Sequence, residues 1–480
     1  MKVIYYDIDT LRPDHLGCYG YERNTSPNID AIASQGVRFD QCFASDTPCL
    51  PSRAALFTGR FGIHTGIINH GGVAADMKLE GKDRGFGALE GKNHGWMIAL
   101  RKAGYHTVSI SPFAERHAAW WFYEGFNEMI NTGKCGKETA DEVVPLALDW
   151  LEENALEKED WFLHVNVWDP HTPYRAPLEY GNPFEEEPAP KWLTDDIIHD
   201  QYHSYGPHSA HETPAHPSYP RMLPEIKDRN DFKKWIDGYD TGIRYADDFL
   251  GKIVEKLQEL KIYDDVMIII SSDHGENHGE LNIYGDHQTA DYITNRIPMI
   301  VKLPGQTESW VNHGLHYNCD LSATFTELLG GKVNPRWDSC SFKDAIEQKQ
   351  QSGRDYLVVS HSAWSCQRSV IFDDYIFIKT YHDGLKNFPK YMLFNFKQDP
   401  HEQNNLADQR PDLVEKGLAL LNTWYDEMMA KSEDGIDPMQ VVLQEGGPFH
   451  TRGMLEGYCE RLEKTGRKEA AEKLKSQHQD

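Results

Sequence analysis

Four times in the first 273 residues a helical stretch hands over to an extended apolar run, and this alternation constrains the fold more than any other feature. "NIDAIASQGV" (28–37) leads into "RFDQCFA", and "MIALRKAGYHTVSIS" (97–111) repeats the step through a glycine. "VVPLALDWLEENALEKEDWFLHVNVWD" (143–169) and "FLGKIVEKLQELKIYDDVMIIISSD" (249–273) do so again, after an opening strand "KVIYYDID" (2–9). Strands alternating with amphipathic helices need a parallel sheet covered on both faces. The fold class expected is therefore α/β, a mostly parallel doubly wound sheet. From about residue 355 the texture changes to short strands with antiparallel patterning, "YLVVSHSAW", "RSVIFDDYIFIKTYH" and "YMLFNF". A helix at about 411–430, a loop "QEGGPFHTRG" and one charged C-terminal helix follow. The expected division is a catalytic α/β domain over 1–350 and a smaller α+β domain over 351–480. The Pro-, His- and Tyr-rich segment 176–232 lacks periodicity and is expected to be a substrate-side loop region rather than core.

Open α/β sheets place their sites just beyond the carboxyl ends of strands. Asp9, Asp169, His171, Asp273 and His274 stand there. The formal charge of −26, from 49 basic and 75 acidic residues, argues against a nucleic-acid or anionic-membrane partner. An anionic substrate would then need a local cationic pocket. Eight cysteines (18, 42, 49, 135, 319, 340, 366 and 459) form no CxxC pair and no dense framework, which fits a reducing compartment. No apolar run reaches transmembrane length and no signal-like segment opens the chain, so a cytoplasmic location is expected. Oligomeric state has no signature.

The most specific local pattern is "TPCLPSRAALFTGR" (47–60), with Cys49, Pro51 and Arg53 at C-x-P-x-R spacing. Pro51 rigidifies the turn. Arg53, one helical turn after Cys49, is able to hold an anion or alkoxide at position 49. This stretch resembles the signature of the type I, formylglycine-dependent sulfatases of the alkaline-phosphatase superfamily. The resemblance implies an alkaline-phosphatase-like fold and oxidation of Cys49 to formylglycine (3-oxoalanine) by a formylglycine-generating maturation enzyme. It implies that the aldehyde is hydrated, that one hydroxyl attacks sulfur and that the other expels sulfate.

Further segments carry the same resemblance. "DIDTLRPDHLGCYG" (7–20) is similar to the family's first metal loop, with Asp9 on the metal aspartate. Thr10 stands where many relatives have a second Asp, for which Asp7 on the same strand face is a candidate substitute or an outer hydrogen-bonding acid. "MIIISSDHGENHGE" (267–280) resembles the second metal loop and supplies Asp273 and His274. With an oxygen at residue 49 these suit Ca2+, with Mg2+ or Mn2+ as alternatives. "HVNVWDPHTPYRAP" (164–177) resembles the segment that places a sulfate-contacting histidine, here His171, with Arg175 a nearby substrate-binding candidate. In "YGDHQTADYITNRIPMI" (284–300) His287 occupies the place of a catalytic lysine. The family's Gly-Lys-Trp-His is absent after "AGYHT", and Arg116 with His117 are the substitutes, an ordinary surface pair being the alternative. His70, more than His64, is a pocket candidate in "TGRFGIHTGIINHGG" (58–72). "LFNFKQDPHEQNNLA" (393–407) matches the family's C-terminal signature and is read as structural, while His450 and Arg452 are read as a surface loop or substrate contacts.

The activity implied is hydrolysis of a sulfate monoester on a small sulfated saccharide derived from glycosaminoglycan, with a 2-O-sulfated uronic acid the specific expectation. Two alternatives stand beside it. One is a phosphonate monoester or phosphodiester hydrolase of the same superfamily; the other is a sugar-binding pseudoenzyme that keeps Cys49 as a thiol.

Overall fold

The computed structural model describes residues 1–78, 92–212 and 218–478. Strand β1 (Lys2–Ile8) lies at the centre of an eight-stranded sheet. The other strands of that sheet are β2 (Val37–Phe43), β4 (His106–Ile110), β5 (Glu128–Ile130), β6 (Trp161–Val167), β7 (Val266–Ser272), β10 (Arg296–Lys302) and β11 (Trp310–Tyr317), ordered β11-β2-β10-β7-β1-β6-β4-β5. From β7 to β5 every pairing is parallel; β10 runs antiparallel to both β7 and β2. Strands β6 and β7 are buried along their whole length, as expected of strands covered on both faces.

Side chains alternate across β1, and the alternation sorts the core. Ile4, Tyr6 and Ile8 join the cluster under helices Pro27–Ala33, Ala140–Asn154 and Arg229–Glu259. Val3 and Tyr5 join the opposite one, under helices Cys49–Thr58, Trp96–Lys102 and Asp320–Leu328. Local signals start two of the longer helices. Thr139 and Glu142 form a reciprocal capping box before Ala140–Asn154, and the Asp228 carboxylate accepts from the amides of Asn230 and Asp231.

The segment 176–232 is not a free loop. It contains helix Asp195–Tyr202, and Leu193, Ile198 and Ile226 are inserted into the main core. Isolated apolar residues anchor it one by one, which leaves no periodic trace; residues 213–217 of this segment lie outside the described residues.

A second sheet has the order β15-β14-β13-β12-β3. Strands β12 (Tyr356–His361), β13 (Cys366–Phe372), β14 (Tyr375–His382) and β15 (Tyr391–Asn395) are antiparallel, and helix Pro411–Lys431 packs Leu421, Trp424 and Met428 onto them. Its fifth member is β3 (Asp46–Thr47), which pairs in parallel with Ser360 and His361. The residues just before Cys49 therefore belong to the second sheet. The expected single C-terminal helix is two, Leu455–Lys464 and Lys468–Gln477, broken at Gly466, whose φ of +79° is left-handed. Among the described residues no helix is long and apolar enough to cross a membrane.

Candidate active site

The C-x-P-x-R frame makes physical sense once it is helical. Cys49 is the first residue of helix Cys49–Thr58, so Pro51 falls in the first turn, where a missing amide hydrogen costs nothing. Arg53 lies one turn on, on the same side as Cys49. Asp7 shares the β1 face of Val3 and Tyr5 and so looks at this helix. Arg53 is fully buried and donates from Nε to Asp7 Oδ2 at 3.0 Å and from Nη1 to Asp9 Oδ2 at 3.0 Å, and it also pairs with Asp273.

Asp9 and Asp273 leave the ends of neighbouring strands. Thr10, with φ of +55°, turns the chain after β1, and its amide donates to Asp273 Oδ1 at 3.2 Å. Ser52 Oγ donates to the Asp273 carbonyl at 2.6 Å, tying the helix of Cys49 to the second acidic loop. His274 Nδ1 lies 2.8 Å from the Gly275 carbonyl, and its Nε2 lies 3.4 Å from Cys49 Sγ.

Asp9, Cys49, Asp273 and His274 bring donor atoms within 4.8 Å of one another, a set able to hold a metal ion. Two observations fit a divalent cation there. One guanidinium facing Asp7, Asp9 and Asp273 leaves two negative charges uncompensated, and Asp9 Oδ1 is buried with no hydrogen-bond donor. Burial, reinforced by Asp273, pushes the Asp9 carboxyl well above its usual range, the mark of a group short of positive charge. Asp7 does not join the set as a metal-ligand substitute; of the two expected alternatives it takes the outer, hydrogen-bonding one. Burial raises its carboxyl, but Arg53 and a hydrogen bond with His164 at 3.2 Å outweigh that and hold it low. Arg53 comes between Asp7 and the other two acids.

Above Cys49 opens a cavity of about 260 Å³ with a wall of imidazoles, His70, His117, His171, His287 and His450, and with Arg116 at its exposed rim. His171 is the fourth residue after the end of β6; its Nδ1 lies 2.5 Å from the Thr172 carbonyl and its Nε2 4.0 Å from Asp9 Oδ1. The His287 ring centre is 4.3 Å from that of His274 and 5.9 Å from that of His171. His70 Nδ1 meets His450 Nε2 at 2.9 Å, and His117 packs 5.2 Å from His70. Burial pushes His70, His117, His171 and His287 well below the ordinary imidazole value, so these four rings are neutral near pH 7. The Arg116 guanidinium stacks 4.8 Å over Trp168, and Arg53 lies 5.9 Å from the same ring.

Not every candidate reaches the cavity. Arg175 interacts with Tyr219 instead of lining it. His64 is structural, bound to Asp338 at 2.7 Å and the Met428 carbonyl at 2.9 Å. Conversely, His450 is not on a surface loop; it stacks on Trp364 at 4.6 Å and closes the far side. Trp364, Asp286 and the buried His361, whose Nδ1 lies 3.0 Å from Thr47 Oγ1, were not singled out from sequence. His361 ends strand β12, so the strand-end rule applied to the second sheet would have found it.

The chain shares its fold over nearly its whole length with solved structures. It superposes over 91% of its length, and 99% of the other chain, on a structure solved with D-glucosamine-2-N,6-O-disulfate as substrate, with a TM-score of 0.71 at 18% identity. It superposes over 90% of its length, and 96% of the other, on a phosphonate monoester hydrolase from Silicibacter pomeroyi, with a TM-score of 0.67 at 17% identity. The sequence model of the sulfatase family matches residues 2–331, and the chain belongs to the sulfatase family. It is thus a sulfuric ester hydrolase. Iduronate 2-sulfatase of Mus musculus is 26% identical over 425 residues, 74% of each chain. The N-acetylglucosamine-6-O-sulfatase of Bacteroides thetaiotaomicron is 20% identical over 93% of this chain and 89% of its own.

Proposed function

We propose that the chain removes sulfate from a small, glycosaminoglycan-derived saccharide, a 2-O-sulfated uronic acid being the favoured substrate, with residue 49 as nucleophile after conversion to formylglycine by a maturation enzyme. The observation that carries this reading is the position of Cys49, at a helix start between an acidic floor and an imidazole wall, facing the cavity. A Ca2+ ion, or Mg2+ or Mn2+ in its stead, is the cofactor proposed for Asp9, Asp273, His274 and an oxygen at residue 49. Bound there, the cation supplies charge neutralisation for sulfate and acidifies the neighbouring hydroxyl. The formylglycine hydrate supplies one hydroxyl to attack sulfur and a second through which sulfate is released.

The chain's own groups do the rest. Arg53 holds Asp9 and Asp273 in register, and the amino end of helix Cys49–Thr58 favours negative charge beside residue 49. His171 gives its Nδ1 hydrogen to the Thr172 carbonyl, which leaves Nε2 as the proton acceptor on the cavity side. His287, a neutral imidazole on the cavity wall beside His171, is the group we assign to donate a hydrogen bond to the leaving oxygen. Arg116, set against Trp168 at the rim, is suited to the carboxylate of a uronic acid. The likeness to iduronate 2-sulfatase supports the 2-O choice.

The experiment is a comparison of turnover on a 2-O-sulfated unsaturated disaccharide, a 6-O-sulfated one, an aryl sulfate and a phosphonate monoester. Fastest turnover of the first is expected. A strong preference for the phosphonate overturns the sulfate reading. Intact mass reads residue 49 directly, since conversion of cysteine to formylglycine lowers the mass by about 18 Da.

A further inference from the structure

Cys49 is the meeting point of two donor sets of different chemical character. Besides the carboxylate-rich group, Cys49, His274 and His287 bring one sulfur and two imidazole nitrogens within 4.8 Å of one another, all buried. With Zn–S near 2.3 Å and Zn–N near 2.0–2.1 Å, tetrahedral ligation puts sulfur and nitrogen about 3.5 Å apart. Cys49 Sγ and His274 Nε2 stand at 3.4 Å. The His274 ring is already oriented for such a role, because Nδ1 faces the Gly275 carbonyl at 2.8 Å and so carries the hydrogen, leaving the Nε2 lone pair toward sulfur. His287 is only 6% exposed, and its Nδ1 has no hydrogen-bond partner. A lysine at 287, an ammonium without a free lone pair, could not complete this set.

We propose that the chain, while residue 49 is still cysteine, holds a zinc ion on Cys49 Sγ, His274 Nε2 and a ring nitrogen of His287. Binding replaces the S–H bond by an S–Zn bond, the proton leaves to solvent and no oxidation state changes. A sulfur–imidazole set selects a borderline-soft ion over Ca2+ or Mg2+. Asp273, whose Oδ2 lies 3.4 Å from His274 Nε2, is near enough to supply a fourth ligand. The unconverted chain then differs from the converted one in its metal preference, since removal of the sulfur leaves two imidazoles beside the hard carboxylate set. This inference goes beyond the hydrolytic reading, and its test uses unconverted protein with no substrate, so its failure would leave that reading untouched.

The test is titration of the full-length protein, produced without a maturation enzyme, with Co2+ and with Zn2+ in competition with a chromophoric chelator. One ion per chain and a thiolate-to-cobalt charge-transfer band are expected. His287→Gln and Cys49→Ser should each weaken Zn2+ binding by more than ~10-fold, since loss of an outer partner alone costs that much. Asp9→Asn should change it by less than threefold. Zn2+ should also raise the melting temperature of the parent protein and of His287→Cys, which keeps a soft ligand, but not that of Cys49→Ser. Cobalt binding without the thiolate band overturns the proposal. So does a result in which Asp9→Asn weakens Zn2+ binding as much as His287→Gln does, since the ion would then sit on the carboxylates.

Discussion

The floor and the wall of the cavity are built on opposite principles. The floor gathers acids around one guanidinium, Asp7, Asp9 and Asp273 around Arg53, at the ends of β1 and β7 and on the helix that covers them. Each of these side chains is essentially excluded from solvent, and Arg53 binds all three acids. The wall gathers imidazoles from loops and short helical turns, held by a few contacts each. The difference teaches a division of labour. The acids and their arginine sit where β-strands and a helix fix them rigidly, and the imidazoles stand where burial outweighs nearby charge in setting their protonation.

The largest effect expected removes the proposed nucleophile between the two. Cys49→Ala should abolish measurable turnover of sulfated disaccharide, a loss of at least ~10⁴-fold, while thermal unfolding stays within a few degrees of the parent. Breaking the floor comes next. Arg53→Met leaves three buried carboxylates without their shared partner and should cost about 3–5 kcal/mol in denaturant unfolding. Breaking the wall is milder for the fold. His287→Ala should lower kcat by ~10²–10³-fold with little change in stability; an equal loss of both would place His287 with the floor instead.

Two smaller tests sharpen the contrast. Asp169 lies behind the wall, accepts from the Ala140 amide at 2.8 Å, and burial raises its carboxyl from an ordinary 3.8 to about 7. The folded chain keeps this proton across a window where the unfolded chain has lost it. The stability it contributes is therefore present at about pH 4 and falls as pH rises toward 7. Asp169→Asn keeps the acceptor, removes the titration and should narrow the difference in melting temperature between pH 4.5 and 7.5. His450→Phe keeps a ring against Trp364 and removes the hydrogen bond to His70. It should alter KM by no more than ~10-fold at unchanged stability.

The floor was far more legible in the sequence than the wall. Period-two alternation on β1 and the acids just beyond β1 and β7 follow from local rules, and C-x-P-x-R fits a helix start. The fate of Asp7 was less visible, because strand periodicity aligns it with Asp9 without revealing that Arg53 would come between them. His450 and His361 escaped firm assignment for a different reason. Each is placed by pairings between distant parts of the chain, Phe449 with Asn69 and Thr47 with His361, and a two-residue strand such as β3 leaves no periodic trace. Isolated apolar anchors hid the packing of 176–232 in the same way.

The pairing of β3 with β12 also sets a clock. Thr47 and its partner His361 are 314 positions apart, and Cys49 is 1% exposed in the finished fold. At about 5–20 residues per second of synthesis, the strand that secures the Cys49 segment emerges roughly 15–60 s after that segment does. For that interval the cysteine has no completed pocket, and any chemistry that needs an extended, accessible "CLPSR" has the growing chain as its natural substrate.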